Sequence, residues 1–280
     1  RLAGLPVLGA KAFLAAADRF DRILYHVGNS AFHQSQLTQL LPAVPGVVAL
    51  HDAFLANMLQ LRSQLPGAAT PFVLELLRAH GWAAVAALHR DGRDAVLRHY
   101  PCSLGVVRRA LGLIQHSAHG RAILAAHFGA ATVAHVAVIP LLASPARSPG
   151  RAEARRSLGL DEGVFVVASF GSAAATKMPD TIVAAWRGLR QEQEWANARL
   201  VFVGDAAPAT EQLFTGLPDV HATGWTDAPT YRLWLAAADL AVQLRRDSRG
   251  ETSAAIVDCL AAGLPVIANA HGAAAELPSD

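Results

Sequence analysis

Short apolar runs bounded by turn residues alternate with stretches of helical spacing along nearly the whole chain. In the first half, runs over 22–27, 46–50, 112–115 and 136–139 read as strands. Helical patterns fall over 32–41, 71–99 and 118–128, the last closed by Gly129. Residues 143–151 hold two prolines, two serines and a glycine and read as a linker. A short helix over 152–158 follows, ended by Gly159.

The second half is patterned more sharply. Residues 164–170 form an almost continuous apolar run, the mark of a parallel strand buried on both faces. Further strands are predicted over 199–203, 220–223, 240–244 and 265–269. Helices are predicted over 180–193 with Asp180 as N-cap, over 230–237, and over 252–262 stopped by Gly263. Strand–helix alternation of this kind implies right-handed crossovers and a doubly wound α/β sheet, whose ligands bind beyond the carboxyl ends of the strands. The loops after Phe170, Val203, Thr223 and Leu244 are therefore where chemistry is expected.

At 280 residues there is room for two domains, placed at 1–145 and 146–280. No apolar run reaches the roughly 18 residues a membrane span needs, and the longest, 133–142, is broken by His135 and Pro140. The chain has no initiator Met and shows no targeting segment, and it is read as a piece of a longer protein. Cys102 and Cys259 share no redox or metal spacing, which suits a reduced, cytoplasmic setting.

Charge divides unevenly. Residues 1–150 hold 13 Lys+Arg against 6 Asp+Glu, whereas 151–280 hold 11 against 16. A basic first half suits an anionic partner such as a membrane surface or a lipid phosphate, giving an expected peripheral position at the inner membrane face. The basic residues are scattered without aromatic interleaving, which argues against nucleic acid. Only Lys11 and Lys177 are lysines. Ten of the twelve histidines lie before residue 151, but none forms a ligand motif, so no metal is expected.

Ser248-Arg249-Gly250-Glu251-Thr252-Ser253 leads into the predicted helix that carries Asp258. A helix start holding Gly250, Thr252 and Ser253 offers unpaired N–H groups to a diphosphate. Glu251 and Asp258, seven apart, would share a helical face about 10.5 Å apart along the axis. The same residues also read as a capping box on a solvated charged face. Gly171 to Lys177 follows the first strand of the second domain; small residues there let backbone approach a phosphate, and Lys177 would add a point charge. It reads equally as an ordinary βα turn. His51-Asp52 and His116-Ser117 end buried strands, where histidine serves as acid, base or sugar contact, or simply as structure.

Taken in order, these residues resemble the GT4-like retaining glycosyltransferases of the two-Rossmann-domain (GT-B) type. The resemblance rests first on "SRGETSAAIVDCLAAGLPV" at 248–266. Support comes from "VASFG" at 167–171 with Lys177, "FVGD" at 202–205, "TGWTD" at 223–227 and "LAAADLAVQLR" at 235–245. Weaker matches are "YHVGNSAFH" at 25–33, "LHD" at 50–52, "QHSAHGRAIL" at 115–124 and "VIP" at 138–140. The chain departs from the family pattern in carrying Asp258 where Glu is usual, Ser172 where many members have Arg, and Leu-Leu after Pro140. It also lacks the usual first strand and the C-terminal crossover helix.

The resemblance implies two Rossmann-like domains facing a central cleft, the first on the acceptor side and incomplete, the second binding a nucleotide sugar. It implies that Lys177, Arg249 and the 250–253 helix start contact the donor diphosphate, that Glu251 binds the transferred sugar, and that Asp258 meets the ribose. It places His51 near the sugar, and Gly171, Gly204, Asp205, Gly224 and Trp225 around the nucleotide. The implied reaction moves a sugar with retention from a nucleoside-diphosphate sugar, a co-substrate, to a glycan or lipid-linked acceptor in polysaccharide biosynthesis, without cofactor or metal. Two other readings are open: a degenerate, non-catalytic binding domain of a larger protein, and a sugar-nucleotide epimerase or phosphorylase on the same fold.

Overall fold

The computed structural model describes residues 4–65, 70–142 and 149–278. Most of the stretch read as a linker, 143–148, lies outside them. The chain divides into two compact units: Arg1–Pro140 with Arg249–Thr252, and Leu141–Ser248 with Ser253–Asp280.

The first unit runs α1 (Ala10–Ala15), β1 (Leu24–Val27), α2 (Leu41–Ala43), β2 (Val47–Leu50), α3 (Ala56–Ser63), α4 (Phe72–Asp91), α5 (Arg93–His99), α6 (Leu104–Arg109), β3 (Gly112–Gln115), α7 (Ala118–Phe128) and β4 (Val136–Val138). Its four strands are all parallel, in the order β1-β2-β3-β4, with Leu24 opposite Val47, Val47 opposite Gly112, and Leu113 opposite Val136. Val27, Val48, Leu50, Leu113 and Val136 pack with Leu55, Met58, Leu76, Val107 and Leu124 into one core.

Two sequence expectations change here. The helix expected over 32–41 is instead a 3-10 turn (Ala31–His33), a π-helical segment (Gln36–Leu40) and the short α2. Thr38 Oγ1 bonds to the Gln34 carbonyl at 3.0 Å and Pro42 has no N–H to give, so regular α-helical pairing is lost. The helical stretch over 71–99 is interrupted twice, at Gly81 (φ +73°) inside α4 and at Gly92 (φ +82°) between α4 and α5. Glycine tolerates this backbone where other residues strain. Three helices of this unit, α1, α3 and α6, were not predicted by the spacing; α3 and α6 carry buried Met58, Leu59 and Val107.

The second unit runs α8 (Arg151–Ser157), β5 (Phe165–Phe170), α9 (Pro179–Leu189), β6 (Ala198–Val203), α10 (Pro208–Glu211), β7 (Val220–Ala222), α11 (Ala228–Ala237), β8 (Leu240–Gln243), α12 (Ala254–Ala261) and β9 (Val266–Ala268). All five strands are parallel, in the order β7-β6-β5-β8-β9. Alternation along β5 and β6 builds two cores. Val166, Ala168, Phe170, Val201 and Val203 pack with Trp234, Leu235 and Cys259, whereas Val167, Leu200 and Phe202 pack with Ile182, Val183 and Trp186. The chain leaves β5 to one side through β6 and β7, then crosses back to β8. The switch point, where ligands of such sheets bind, therefore lies between the loops that follow β5 and β8.

Arg155 on α8 ties this unit together from within, with its side chain 2% exposed. Its guanidinium donates to the carbonyls of Asp161, Glu162, Val164 and Ala237, and to Asp239 Oδ2 at 2.6 Å. The same carboxylate oxygen accepts from Val166 N at 2.8 Å, so the start of β5 and the start of β8 share one clamp. Arg155→Ala leaves that carboxylate without its buried cation and is expected to cost about 3–5 kcal/mol. Urea unfolding checks this; a midpoint equal to that of the unsubstituted protein contradicts it.

Candidate functional site

β5 ends at Phe170, and the chain turns at Gly171 (φ +83°). The loop comes back through the 3-10 turn Ala175–Lys177 so that Lys177 Nζ donates to the Phe170 carbonyl at 2.8 Å. A β-carbon on Gly171 would stand 2.5 Å from that ammonium, so glycine makes room for the lysine. Burial, and then the charge of Arg245, lower the Lys177 pKa from 10.5 to about 8. Arg245 follows β8, and its backbone is held from both sides by Asn269, whose Oδ1 accepts from Arg245 N at 2.8 Å and whose Nδ2 donates to Arg245 O at 2.7 Å. Next to it, Arg246 N donates to Thr176 O at 2.9 Å and Arg246 pairs with Asp180 at 3.0 Å. The two loops at the switch point are thus stitched together, with two cations brought near each other.

The neighbouring strand ends are stitched as well. Ala173 N donates to Asp205 O at 2.7 Å, and Gly204 N donates to Thr223 Oγ1 at 3.1 Å. At Gly204 (φ +151°) a β-carbon would meet the Gly171 carbonyl carbon at 2.6 Å, so only glycine permits this close approach. Gly224 takes φ +70° and its carbonyl accepts from Thr223 Oγ1, while Trp225 is 77% exposed. Gln243, the last residue of β8, is buried with its Nε2 unpartnered among the described residues.

The helix expected over 252–262 begins later: α12 starts at Ala254, and its N-cap is Ser253, whose Oγ accepts from Ile256 N at 3.4 Å. Glu251 therefore does not share a helical face with Asp258. It precedes the helix, and its Oε2 accepts from Arg249 N at 2.6 Å. Asp258 lies on α12 and accepts from the Tyr231 hydroxyl at 3.2 Å. Burial and the Asp258 charge raise the Tyr231 pKa, which keeps that hydroxyl a donor. Asp180 is likewise not the N-cap of α9; Met178 is, with a left-handed backbone (φ +53°, ψ +47°), and Pro179 opens the helix.

Arg249–Thr252 group with the first unit, where Ala53 N donates to Arg249 O at 3.1 Å and Gly250 stands against Ala53 and Gly120. Thr252 Oγ1 is buried without a hydrogen-bond partner among the described residues. In the same unit, three imidazoles line the carboxyl ends of three adjacent strands. His26 Nδ1 and His51 Nε2 are 3.0 Å apart, His51 Nδ1 and His116 Nε2 3.1 Å, and His116 Nδ1 lies 2.9 Å from the Ile139 carbonyl. A carbonyl only accepts, so His116 Nδ1 carries a proton. With neutral rings, His51 then donates to His116 and His26 to His51, which leaves the unshared pair on His26 Nε2. Both nitrogens of His51, the ring that the sequence singled out, are thus engaged, and the nitrogen left open belongs to exposed His26. Burial, and the charges of His116, His26 and His33 in that order, lower the His51 pKa from 6.5 to about 4. Asp52 accepts from Asn29 N at 2.8 Å, and Asn29 Oδ1 from Met58 N at 2.9 Å, which fastens the loop after β1. Among the described residues no three His, Cys, Asp or Glu side chains are gathered to hold a metal ion, and no helix is long and apolar enough to cross a membrane.

Residues 163–280 match the family described as Glycosyl transferases group 1. Among solved structures the chain is similar to HepE from Anabaena in complex with UDP and glucose, with a TM-score of 0.62 and 18% identity over 97% of this chain and 65% of that one. It is also similar to sucrose-phosphate synthase from Thermosynechococcus elongatus, with a TM-score of 0.60 and 19% identity over 94% and 60%. For WaaG, a glycosyltransferase involved in lipopolysaccharide biosynthesis, the TM-score is 0.55 with 17% identity over 94% and 63%. The chain thus spans about 65% of the HepE structure and 60% of the synthase. No curated protein matches the sequence. The two parallel α/β units have the GT-B Rossmann-like fold of these neighbours.

Two partly buried histidines, His51 and His80, make stability acid-sensitive in a defined window. His80 Nε2 accepts from Cys102 N at 3.0 Å, and burial followed by the His127 charge lowers its pKa from 6.5 to about 4. Between those two values the unfolded chain binds protons at His51 and His80 that the folded chain refuses, so protonation favours unfolding. The contribution of these two groups is full above pH 6.5 and is lost as pH drops toward 4. His80→Gln, which keeps an acceptor but does not titrate, should flatten this fall in a series of Tm measurements; an unchanged slope contradicts it.

Proposed function

We propose that the chain is the greater part of a retaining, metal-independent glycosyltransferase that moves a sugar from a nucleoside-diphosphate sugar to a glycan or lipid-linked acceptor. The observation that carries the reading is the pair of cations, Lys177 and Arg245, at the switch point of the second sheet. Lys177 is largely desolvated and held near a like charge, as its pKa of about 8 reflects. An anion arriving there relieves both costs at once. When the bond between the sugar and its diphosphate breaks, negative charge grows on the leaving diphosphate, and positioned cations stabilise that charge more than they stabilise the bound donor. The amino end of α12, capped by Ser253, adds dipoles of the same sign. The similar structures support the donor class: HepE is in complex with UDP and glucose.

The remaining roles follow the family resemblance. Arg249, Gly250, Thr252 and Ser253 attend the diphosphate, Glu251 binds the transferred sugar, Asp258 meets the ribose, and His51 serves the sugar end. Gly171, Gly204, Asp205, Gly224 and Trp225 shape the nucleotide site, and the close packing at Gly171 and Gly204 supports a structural part for those two. The protein works at the cytoplasmic face of a membrane, and the basic first half supports contact with anionic lipid.

Lys177→Ala should weaken UDP binding by about 1.5–3 kcal/mol, the range for a charged hydrogen bond. Isothermal titration measures this, and an unchanged dissociation constant counts against the reading. Glu251→Ala should abolish sugar transfer, and slow donor hydrolysis with it, while UDP binding stays within a few-fold. Turnover at the original rate would remove Glu251 from its role. Absence of donor hydrolysis by the unsubstituted protein would favour a non-catalytic binding domain instead.

A further inference from the structure

The first unit contains a cavity of about 700 Å³ that none of the roles above uses. It lies among the helices: Arg108 and Arg109 close α6 just before β3 begins, whereas His116 follows the end of that strand. Its volume falls within the range of small-ligand sites. The lining includes four arginines, Arg62, Arg78, Arg108 and Arg109, and a single acid, Glu75, against apolar walls such as Leu37 and Leu104.

The charges are poorly matched internally. Arg62 Nη2 and Arg78 Nη1 both reach toward the same oxygen, Glu75 Oε1, at 3.6 and 3.8 Å, beyond hydrogen-bond distance. Arg62 is held there with its side chain only 15% exposed. The side chains of Arg108 and Arg109, both exposed residues, make no hydrogen bond or ion pair among the described residues. The bland account of the last two, that cations suit the carboxyl end of a helix, explains their presence on α6. It does not explain why neighbours about 100° apart around a helix both line one cavity together with Arg62 and Arg78. Cys102, also in the lining, is no nucleophile: burial pushes its thiol to about 12. A pocket with three net positive charges, guanidinium forks and apolar walls complements a compact dianion carried on an apolar or sugar body.

We propose that this cavity binds a phosphate monoester, with Arg108 and Arg109 supplying the primary contacts and Arg62 and Arg78 the flanking charge. The site does not depend on the donor reading. Two sources share this chemistry, a lipid phosphate head group and a soluble phosphorylated sugar or polyol.

The test uses the intact protein with three probes: glycerol 3-phosphate by titration calorimetry, and vesicles of phosphatidylcholine with or without phosphatidic acid by flotation. Binding of glycerol 3-phosphate supports the proposal with a soluble source. Binding confined to phosphatidic acid vesicles supports it with a lipid source. In either case R108A/R109A should weaken binding by roughly tenfold or more, as loss of charged hydrogen bonds requires. R108K/R109K, which keeps charge but not the planar fork, should recover only part of it, and UDP affinity should be unmoved in both. No binding to any phosphate probe, or binding undiminished in R108A/R109A, overturns the proposal.

Discussion

The carboxyl edge of the second sheet is organised by one contact, the ammonium of Lys177 against the last carbonyl of β5. That contact requires Gly171 to lack a β-carbon, and Gly171 in turn presses on Gly204, which must lack one too. The loop it creates is then fastened to the loop after β8 through Thr176 and Arg246. A lysine kept out of water beside another cation is costly on its own. The fold tolerates it because the ammonium has its own bond to the Phe170 carbonyl and the surrounding backbone is tied down by further hydrogen bonds that do not involve the charge.

Much of the fold was legible because parallel strands buried on two faces must be apolar at nearly every position. Residues 112–115 and 118–128 needed no adjustment, and the second unit's strands shifted by a residue or so at their ends. What failed were helices, each for a local reason. Residues 32–41 have the apolar spacing of a helix, but Thr38 and Pro42 compete with its backbone pairing. α3 and α6 are short, and buried neighbours, not their own periodicity, make them helical.

The candidate site was legible where a residue's meaning is local. Lys177 stood out as one of two lysines, and the 248–253 segment by its composition. Arg245 was missed because its importance comes from strand order: β8 lies beside β5, and nothing in the linear sequence says so. His26 was missed for the same reason, since only a shared sheet edge brings it to His51 and His116. The start of α12 was misplaced by two residues because Thr252 and Ser253 are both good caps, and the choice falls to Ser253 through its bond to Ile256.

The row of imidazoles has a direction that one backbone oxygen imposes. A proton that lands on the open nitrogen of His26 can be handed inward ring by ring, since each neighbour already offers a lone pair. At the far end it meets the Ile139 carbonyl, which holds a hydrogen bond but does not take a proton at ordinary pH. Traffic must leave by the door it entered. The row therefore ends blind at that carbonyl and is not a conduit across the unit.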